Sequence, residues 1–298
     1  MVWYVVIKKI KRLTITLIIS FTGCLAHADD VDTLFSMSLE QLLSVQVSTA
    51  SKRSQEARVA PSIISVFTKE DIAKMGVTSL IDVLKHAPGI ETSIAPSGNW
   101  RVSIRGARKD GIILLLIDGH PFNDLYDGSA SFDLPLALVD KVEIIRGPGS
   151  ALYGTNAVAG IINVLTQKNT SQIAVGFGSR SDLNAAVANQ HQIWAGKLSY
   201  NIGFTSSDGA NIEEGADILD TSNVNFDIPN KTNRYLDEYF VSVNYQNNDF
   251  EVSLFNLDRE RGPWVGPLNI FGPSTKVDKS QTTLKGKYSY QLSNFYDI

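Results

Sequence analysis

Three stretches in the second half of the chain alternate strictly with a period of two. Even positions from Trp194 read Trp194, Gly196, Leu198, Tyr200, Ile202 and Phe204, with Lys197, Ser199 and Asn201 between them. Odd positions from Tyr235 read Tyr235, Asp237, Tyr239, Val241, Val243 and Tyr245, opposed by Glu238, Ser242 and Asn244. Leu284, Tyr288, Tyr290 and Leu292 then face one way, with Lys285, Lys287 and Gln291 facing the other. Successive side chains on a strand point to opposite faces, so each stretch reads as a strand with one apolar and one polar face. That period suits an antiparallel sheet with one solvated face and equally a transmembrane barrel, with lipid outside and a wet lumen inside. Connection lengths decide between the two. Strands are predicted at 172–178, 183–190, 193–204, 235–246, 249–257 and 281–292. Links at Gln190–Ile193 and Gln246–Asp249 are short, whereas Thr205–Arg234 and Asp258–Ser280 are long. Short turns at one end and long loops at the other is the outer-membrane barrel arrangement, and such loops are uncommon inside a compact soluble domain.

The N-terminus reads as a processing segment. Lys8, Lys9, Lys11 and Arg12 precede the short apolar run Leu13–Leu25, and Ala26-His27-Ala28 fits the small-x-small cleavage rule, making residues 1–28 a signal peptide. A second route, lipoprotein processing at Cys24, is poorly matched by Phe21. Removing residues 1–28 takes four cations and no anions from 27 basic and 31 acidic residues, moving the net charge from −4 to −8. An acidic balance argues against nucleic acid as a partner, since phosphate neutralisation by Lys and Arg dominates that affinity. Cys24 is the chain's one cysteine, so the mature chain has no disulfide and no thiolate metal centre. Beyond residue 28 no apolar run is long enough for a membrane helix, so membrane residence has to come from strands.

Between these regions lies a different pattern. Ile63–Phe67 reads as a strand, and Thr68-Lys69-Glu70-Asp71 as a capping-box helix start. A second helix begins at Ser79-Leu80-Ile81-Asp82 and must stop near His86, because Pro88-Gly89 follows. Val102–Ile104, Ile112–Ile117 and Val142–Ile145 complete a small mixed sheet, with Asp118-Gly119 as a turn signal. The runs Val142–Ile145 and Ile161–Leu165 flank a segment holding Gly147, Gly149, Gly154 and Gly160, a tightly folded connection in a compact α+β unit.

Residues Val139–Gln167 resemble the signature of the plug domain of TonB-dependent outer-membrane receptors. RVSIRG at Arg101–Gly106 and IILLLIDGHPFND at Ile112–Asp124 resemble the other plug landmarks, in the right order and spacing, over roughly residues 45–168. The resemblance implies an α+β plug domain followed by antiparallel strands of an incomplete transmembrane β-barrel of about six strands. It divides the chain into a 1–28 signal peptide, a 29–60 periplasmic segment, a 61–168 plug and a 169–298 start of the barrel. Val45, Gln46, Val47, Ser48 and Thr49 resemble a TonB box, through which the energy transducer TonB adds a strand; a disordered linker is the plainer reading of that segment. Plug-signature residues are Arg105, Gly106, Asp118, Gly119, Glu143, Arg146, Gly147, Gly149, Tyr153, Gly154, Gly160 and Asn163. Of these, Arg105, Arg146 and Glu143 are expected in buried or semi-buried polar pairs that hold the plug and tie it to the barrel's inner wall. The implied function is import of a scarce nutrient, foremost a ferric siderophore, across the cell outer membrane, with outer-membrane lipid as the surround. Cobalamin and haem are alternative cargoes. Only about sixteen residues separate Asp29 from Val45, which disfavours a signal-transducing member.

Closing a barrel around a folded plug takes about twenty-two strands, and an open sheet in lipid leaves unpaired edges. The chain is therefore expected to be a fragment or a truncated gene product that does not transport alone; a non-transporting periplasmic binding module is the rival reading. Cargo contacts are expected in the loops Thr92–Trp100 and Pro121–Ser131, at Asn99, Trp100, Asn123, Tyr126 and Asp127. Ordinary loop packing is the competing role for each of them. The Arg146–Ser150 run lacks the GK[ST] ending of a phosphate loop. His86, His120 and His191 lack ligand spacing, Ser103 and Ser150 lack a base, and no cofactor, resident metal or catalytic set is indicated. Acidic residues Asp208, Glu213, Glu214, Asp217 and Asp220 fit solvated surface charge better than a calcium site.

Overall fold

The computed structural model describes residues 46–47, 55–56, 63–95, 98–179, 181–209, 234–262 and 276–289, all within one compact unit, Val45–Ile298. The signal peptide, Val45, Ser48, Thr49, the acidic residues Glu213–Asp220, Tyr290 and Leu292 lie outside the described residues.

A two-residue ladder opens the unit: β1 (Gln46–Val47) pairs antiparallel with β2 (Gln55–Glu56). Next comes β3 (Ile63–Thr68), then α1 (Lys69–Met75), whose start is fixed as the sequence predicts. Thr68 accepts from the Asp71 backbone N–H, and the Asp71 carboxylate accepts from that of Thr68, a reciprocal capping box. Gly76 ends the helix in the left-handed region at φ 64°, its N–H donating to Ala73. Helix α2 (Leu80–Lys85) is capped by Ser79 and stops at His86, ahead of Pro88.

The plug sheet has five strands in the order β3, β8 (Val139–Arg146), β9 (Gly160–Thr166), β6 (Ile113–Ile117), β7 (His120–Pro121). β6 runs parallel to β9 and the other pairings are antiparallel, so the sheet is mixed. Every residue of β6 is buried: Leu115 and Ile117 face the main core, Leu114 and Leu116 a smaller cluster on the opposite face. Val102–Ile104 does not join this sheet, contrary to expectation. It lies in β5 (Trp100–Ile104), paired with β4 (Ile90–Ile94) as a separate hairpin. The expected loop Thr92–Trp100 is thus hairpin arm at both ends, because Thr92, Ser93 and Ile94 are consumed by backbone pairing to Val102, Arg101 and Trp100. A short helix, α3 (Ser150–Tyr153), folds the glycine segment, where only a connection was expected.

Residues from 172 onward form a second sheet of six consecutive antiparallel strands: β10 (Gln172–Phe177), β11 (Leu183–Ile193), β12 (Gly196–Ser207), β13 (Leu236–Gln246), β14 (Phe250–Arg261) and β15 (Val277–Tyr288). The strand count matches the expectation; several boundaries move, β12 lying at 196–207 where 193–204 was expected. The turn after β11 is Trp194-Ala195, not Gln190–Ile193, since Gln190 to Ile193 keep pairing through to Gly196. β14 continues to Arg261, and β15 begins at Val277, extending the ladder into residues expected to be loop.

Burial in this second sheet is inverted. On β12 and β13 the polar Ser199, Asn201, Glu238, Ser242 and Asn244 are buried, while Leu198, Tyr200, Ile202, Val241 and Val243 are only half-buried on the opposite face. Ile173, Val175, Phe177, Leu254 and Leu284 on the same outer face are exposed. A polar face turned to protein and an apolar face turned away is what a wall surrounded by lipid requires. The inner face also carries Phe240, Phe255, Leu257, Ala186 and Ala188, which join the plug's main hydrophobic cluster with Leu80, Leu138 and Ile162. Plug and wall therefore share one core. Each large apolar side chain in it contributes about 1.5–3 kcal/mol of burial.

Candidate functional site

The site is the seam along which the plug meets the wall, and its contacts divide by height. At the end carrying the long connections after β12 and β14, Asp133 of the plug takes two wall arginines. Arg259 Nη1 lies 2.5 Å and Arg261 Nη2 2.6 Å from Asp133 Oδ2. Arg259 Nη2 also donates to Asn99 Oδ1 at 2.9 Å, and Arg261 Nη1 donates to the Gly98 carbonyl. Burial pushes the Asp133 carboxyl up, but the guanidiniums of Arg261 and Arg259 overcome it and hold it below the ordinary value. At this end too, Lys279 Nζ reaches Asp124 Oδ2 at 2.9 Å.

At mid-height the contact is steric. A Cβ on Gly203 of β12 would stand 2.6 Å from Pro135 Cγ and 2.9 Å from Leu138 Cδ1, so the plug's 3-10 turn Leu136–Leu138 lies directly on backbone. Only glycine leaves that room.

At the short-turn end the wall grips the chain where it leaves the plug. Asn201 Nδ2 donates to the Gln167 carbonyl and to Ser242 Oγ, and Ser199 Oγ donates to the Lys168 carbonyl. Lys168 Nζ lies 3.5 Å from Glu251 and 3.8 Å from Asp118. Asp118, driven up by burial against the opposing pull of Lys168 and Thr166, accepts from Thr166 N and Oγ1. His120 is pushed down to about 4 by burial and by the Lys285 ammonium, with Glu251 opposing.

Several plug-signature residues are thereby explained. Asp118 (φ 49°) and Gly119 (φ 79°) form the two-residue link between β6 and β7, a turn that needs positive φ at both positions. Asn163 Oδ1 accepts from the Gly119 N–H, joining these three signature residues. A Cβ on Gly160 would lie 2.4 Å from the Ile145 carbonyl oxygen, so glycine is forced by the β8–β9 approach. Gly147, Gly149 and Gly154 carry the chain around α3 and Tyr153, whose phenol is raised by burial and by Glu143. Glu143 is fully buried with Lys141 Nζ at 2.9 Å. Arg146 donates to the Pro88 carbonyl and Ser65 Oγ. Both are plug-internal polar contacts. Arg105, expected in such a pair, is instead exposed at positive φ beside Gly106 in a turn, so that expectation is corrected. Among the described residues, the polar ties to the wall come from Lys69, Gly98, Asn99, Asp124, Asp133, Ala137, Gln167 and Lys168. Asp133, Arg259, Arg261 and Lys279 were not singled out by the sequence. The one available signal was charge on the lumen-facing register of β14 and β15.

The cargo candidates divide as well. Asn99, Trp100 and Asp127 line one cleft of about 120 Å³ together with Arg101, Lys109 and Asp110. Trp100 carries the Lys85 ammonium 5.4 Å from its ring centre. Tyr126 and Leu125 stand fully exposed at the adjoining loop tip. Asn123 is corrected to a structural role: it is buried, accepts from Leu115 N, and donates to the Ile113 and Gly128 carbonyls. A cleft of this size holds part of a ligand, since whole sites for small molecules run to about 300–1,000 Å³.

Residues 56–161 match the family described as TonB-dependent Receptor Plug Domain. Over 175 residues, 56% of this chain, it is 33% identical to the vitamin B12 transporter BtuB of Vibrio vulnificus (strain CMCP6), covering 29% of that protein. Among solved structures, the pyoverdine-bound receptor FpvA of P. aeruginosa superposes with a TM-score of 0.63 at 16% identity, over 84% of this chain and 34% of that one. The ferric yersiniabactin uptake receptor FyuA of Yersinia pestis gives 0.55 at 20% identity, over 82% and 40%. The chain thus spans about a third of the length of these relatives. Signature motifs, inverted wall and these likenesses agree: residues 56–161 are a TonB-dependent receptor plug domain, and the six consecutive strands that follow share the fold of an outer-membrane receptor wall.

Proposed function

We propose that the chain serves import of a scarce metal chelate, foremost a ferric siderophore, taken from outside at the long-loop end and admitted when the plug is displaced. The seam is the observation that carries this reading. Its charged and hydrogen-bonded contacts are exchangeable, since buried ion pairs add little net stability over apolar packing. A plug held by them is tight when idle and releasable by force. The cleft lined by Asn99, Trp100 and Asp127, with Tyr126 beside it, supplies stacking and polar groups to one side of a chelate. Gln46–Val47, already in strand pairing with Gln55–Glu56, supports recruitment of TonB by strand addition. Cobalamin is the second reading, favoured by the 33% identity to a vitamin B12 transporter.

Growth on single cargoes is the test. Cells with the locus intact, deleted, or carrying Val47→Pro are grown on individual ferric siderophores and, in a cobalamin-requiring background, on cobalamin. Proline removes a backbone donor and breaks strand addition. Deletion and Val47→Pro are expected to abolish growth on the same one cargo, with cargo binding retained in the proline variant. Indifference of the deletion to every cargo refutes import.

A further inference from the structure

Two arginines and two carboxylates share the buried space at the long-loop end of the seam, but only one carboxylate is engaged. Asp133, on the plug, lies within ion-pair distance of both Arg259 and Arg261. Glu238, on β13 of the wall, stands directly across the ladder from Arg259. It is 1% exposed, and its Oε2 meets no hydrogen-bond donor. The Nε donors of Arg259 and Arg261 are likewise buried without an acceptor. The idle oxygen and the idle nitrogens are the two halves of a contact that is not made while the plug is seated.

We propose that Glu238 is the substitute counter-ion of this wall: when the plug withdraws Asp133, Arg259 and Arg261 turn to Glu238. Removing one partner of a buried pair leaves an uncompensated charge, which a low-dielectric wall penalises heavily. Cross-strand neighbours have Cβ atoms about 4.5–5.5 Å apart, so Arg259 reaches Glu238 by a side-chain rotation with no backbone movement. The exchange leaves this pair of guanidiniums with one uncompensated charge instead of two and so lowers the barrier to unseating the plug. The same guanidiniums hold Asn99 Oδ1 and the Gly98 carbonyl. Turning away from Asp133 therefore also frees the apex of the β4–β5 hairpin beside the cleft. The proposal deepens the gate reading, yet the exchange is a property of the seam itself.

The test uses the full chain in detergent, with neither cargo nor TonB, so its failure is distinct from failure of the import reading. In a Cys24→Ser background, Ser131→Cys places a thiol in the buried stretch beside Asp133; its rate of alkylation by a maleimide reports opening of that sector. Asp133→Asn is expected to fold and to raise the rate several-fold, because Glu238 takes over the arginines. Asp133→Asn with Glu238→Gln is expected to exceed the product of the single effects at least tenfold, or to fail to fold while both singles fold. A structure of the Asp133→Asn chain is expected to show Glu238 within ion-pair distance of Arg259 or Arg261. Failure of Asp133→Asn alone to fold, simple multiplication of the two effects, or a Glu238 left apart from both arginines in that structure overturns the proposal.

Discussion

Gly203→Ala tests whether the plug really rests on wall backbone. The added methyl would stand 2.6 Å from Pro135 Cγ, 3.0 Å from Pro135 Cβ and 2.9 Å from Leu138 Cδ1. Leu138 can rotate away, but the Pro135 ring is rigid, so relief needs a backbone shift in the shared core. Overpacking of that kind costs about 1–3 kcal/mol. Glycine to alanine in a strand also returns about 0.5–1 kcal/mol of backbone entropy. A second glycine separates the two effects. Gly286 of β15 has nothing within 4 Å of its Cβ position, so Gly286→Ala gains the backbone term alone. The two variants should then differ by the steric cost, about 1–3 kcal/mol. At 2–4 °C per kcal/mol for chains of this order, the melting temperatures separate by roughly 2–12 °C, Gly203→Ala lower. Thermal unfolding in detergent, followed by tryptophan fluorescence with Trp100 as the plug reporter, measures it. Pro135→Ala removes the nearest atom, so adding it to Gly203→Ala should recover much of the loss non-additively. Equal melting temperatures for the two glycine variants would refute a close plug–wall contact at this height.

Two further outcomes follow from the same seam. Phe240→Ala, at a fully buried wall position inside the plug's core cluster, is expected to cost about 3–5 kcal/mol in urea unfolding; a change under 1 kcal/mol would mean that plug and wall do not share a core. His120 titrates at about 4 when folded against an ordinary 6.5, so the unfolded chain binds the extra proton between those values. Its contribution to stability is therefore complete above pH 6.5 and declines as pH falls towards 4. Comparing urea midpoints of the parent and His120→Asn across that window should show a shallower acid slope in the variant, and parallel curves would contradict the assignment.

The sequence determined what depends on near neighbours. Capping at Thr68–Asp71, the stop before Pro88, the Asp118-Gly119 turn and the two-residue period of β12 and β13 are local consequences of backbone sterics and hydrogen bonding. The ladder's overrun to Ile193 and Arg261 was not legible, because strand ends are set by whether a partner strand continues opposite. Val102–Ile104 is as apolar as a central strand, and only its pairing to Ile90–Thr92 removed it from the main sheet. Period alone assigned Glu238 to the polar face, while Arg259 fell in an expected loop; whether that face meets water or protein is a tertiary matter. The folded chain decided it by bringing Asp133 to Arg259 across 126 residues of sequence. Alternation fixes which way a side chain points, whereas its partner is chosen by packing between segments that share no local constraint.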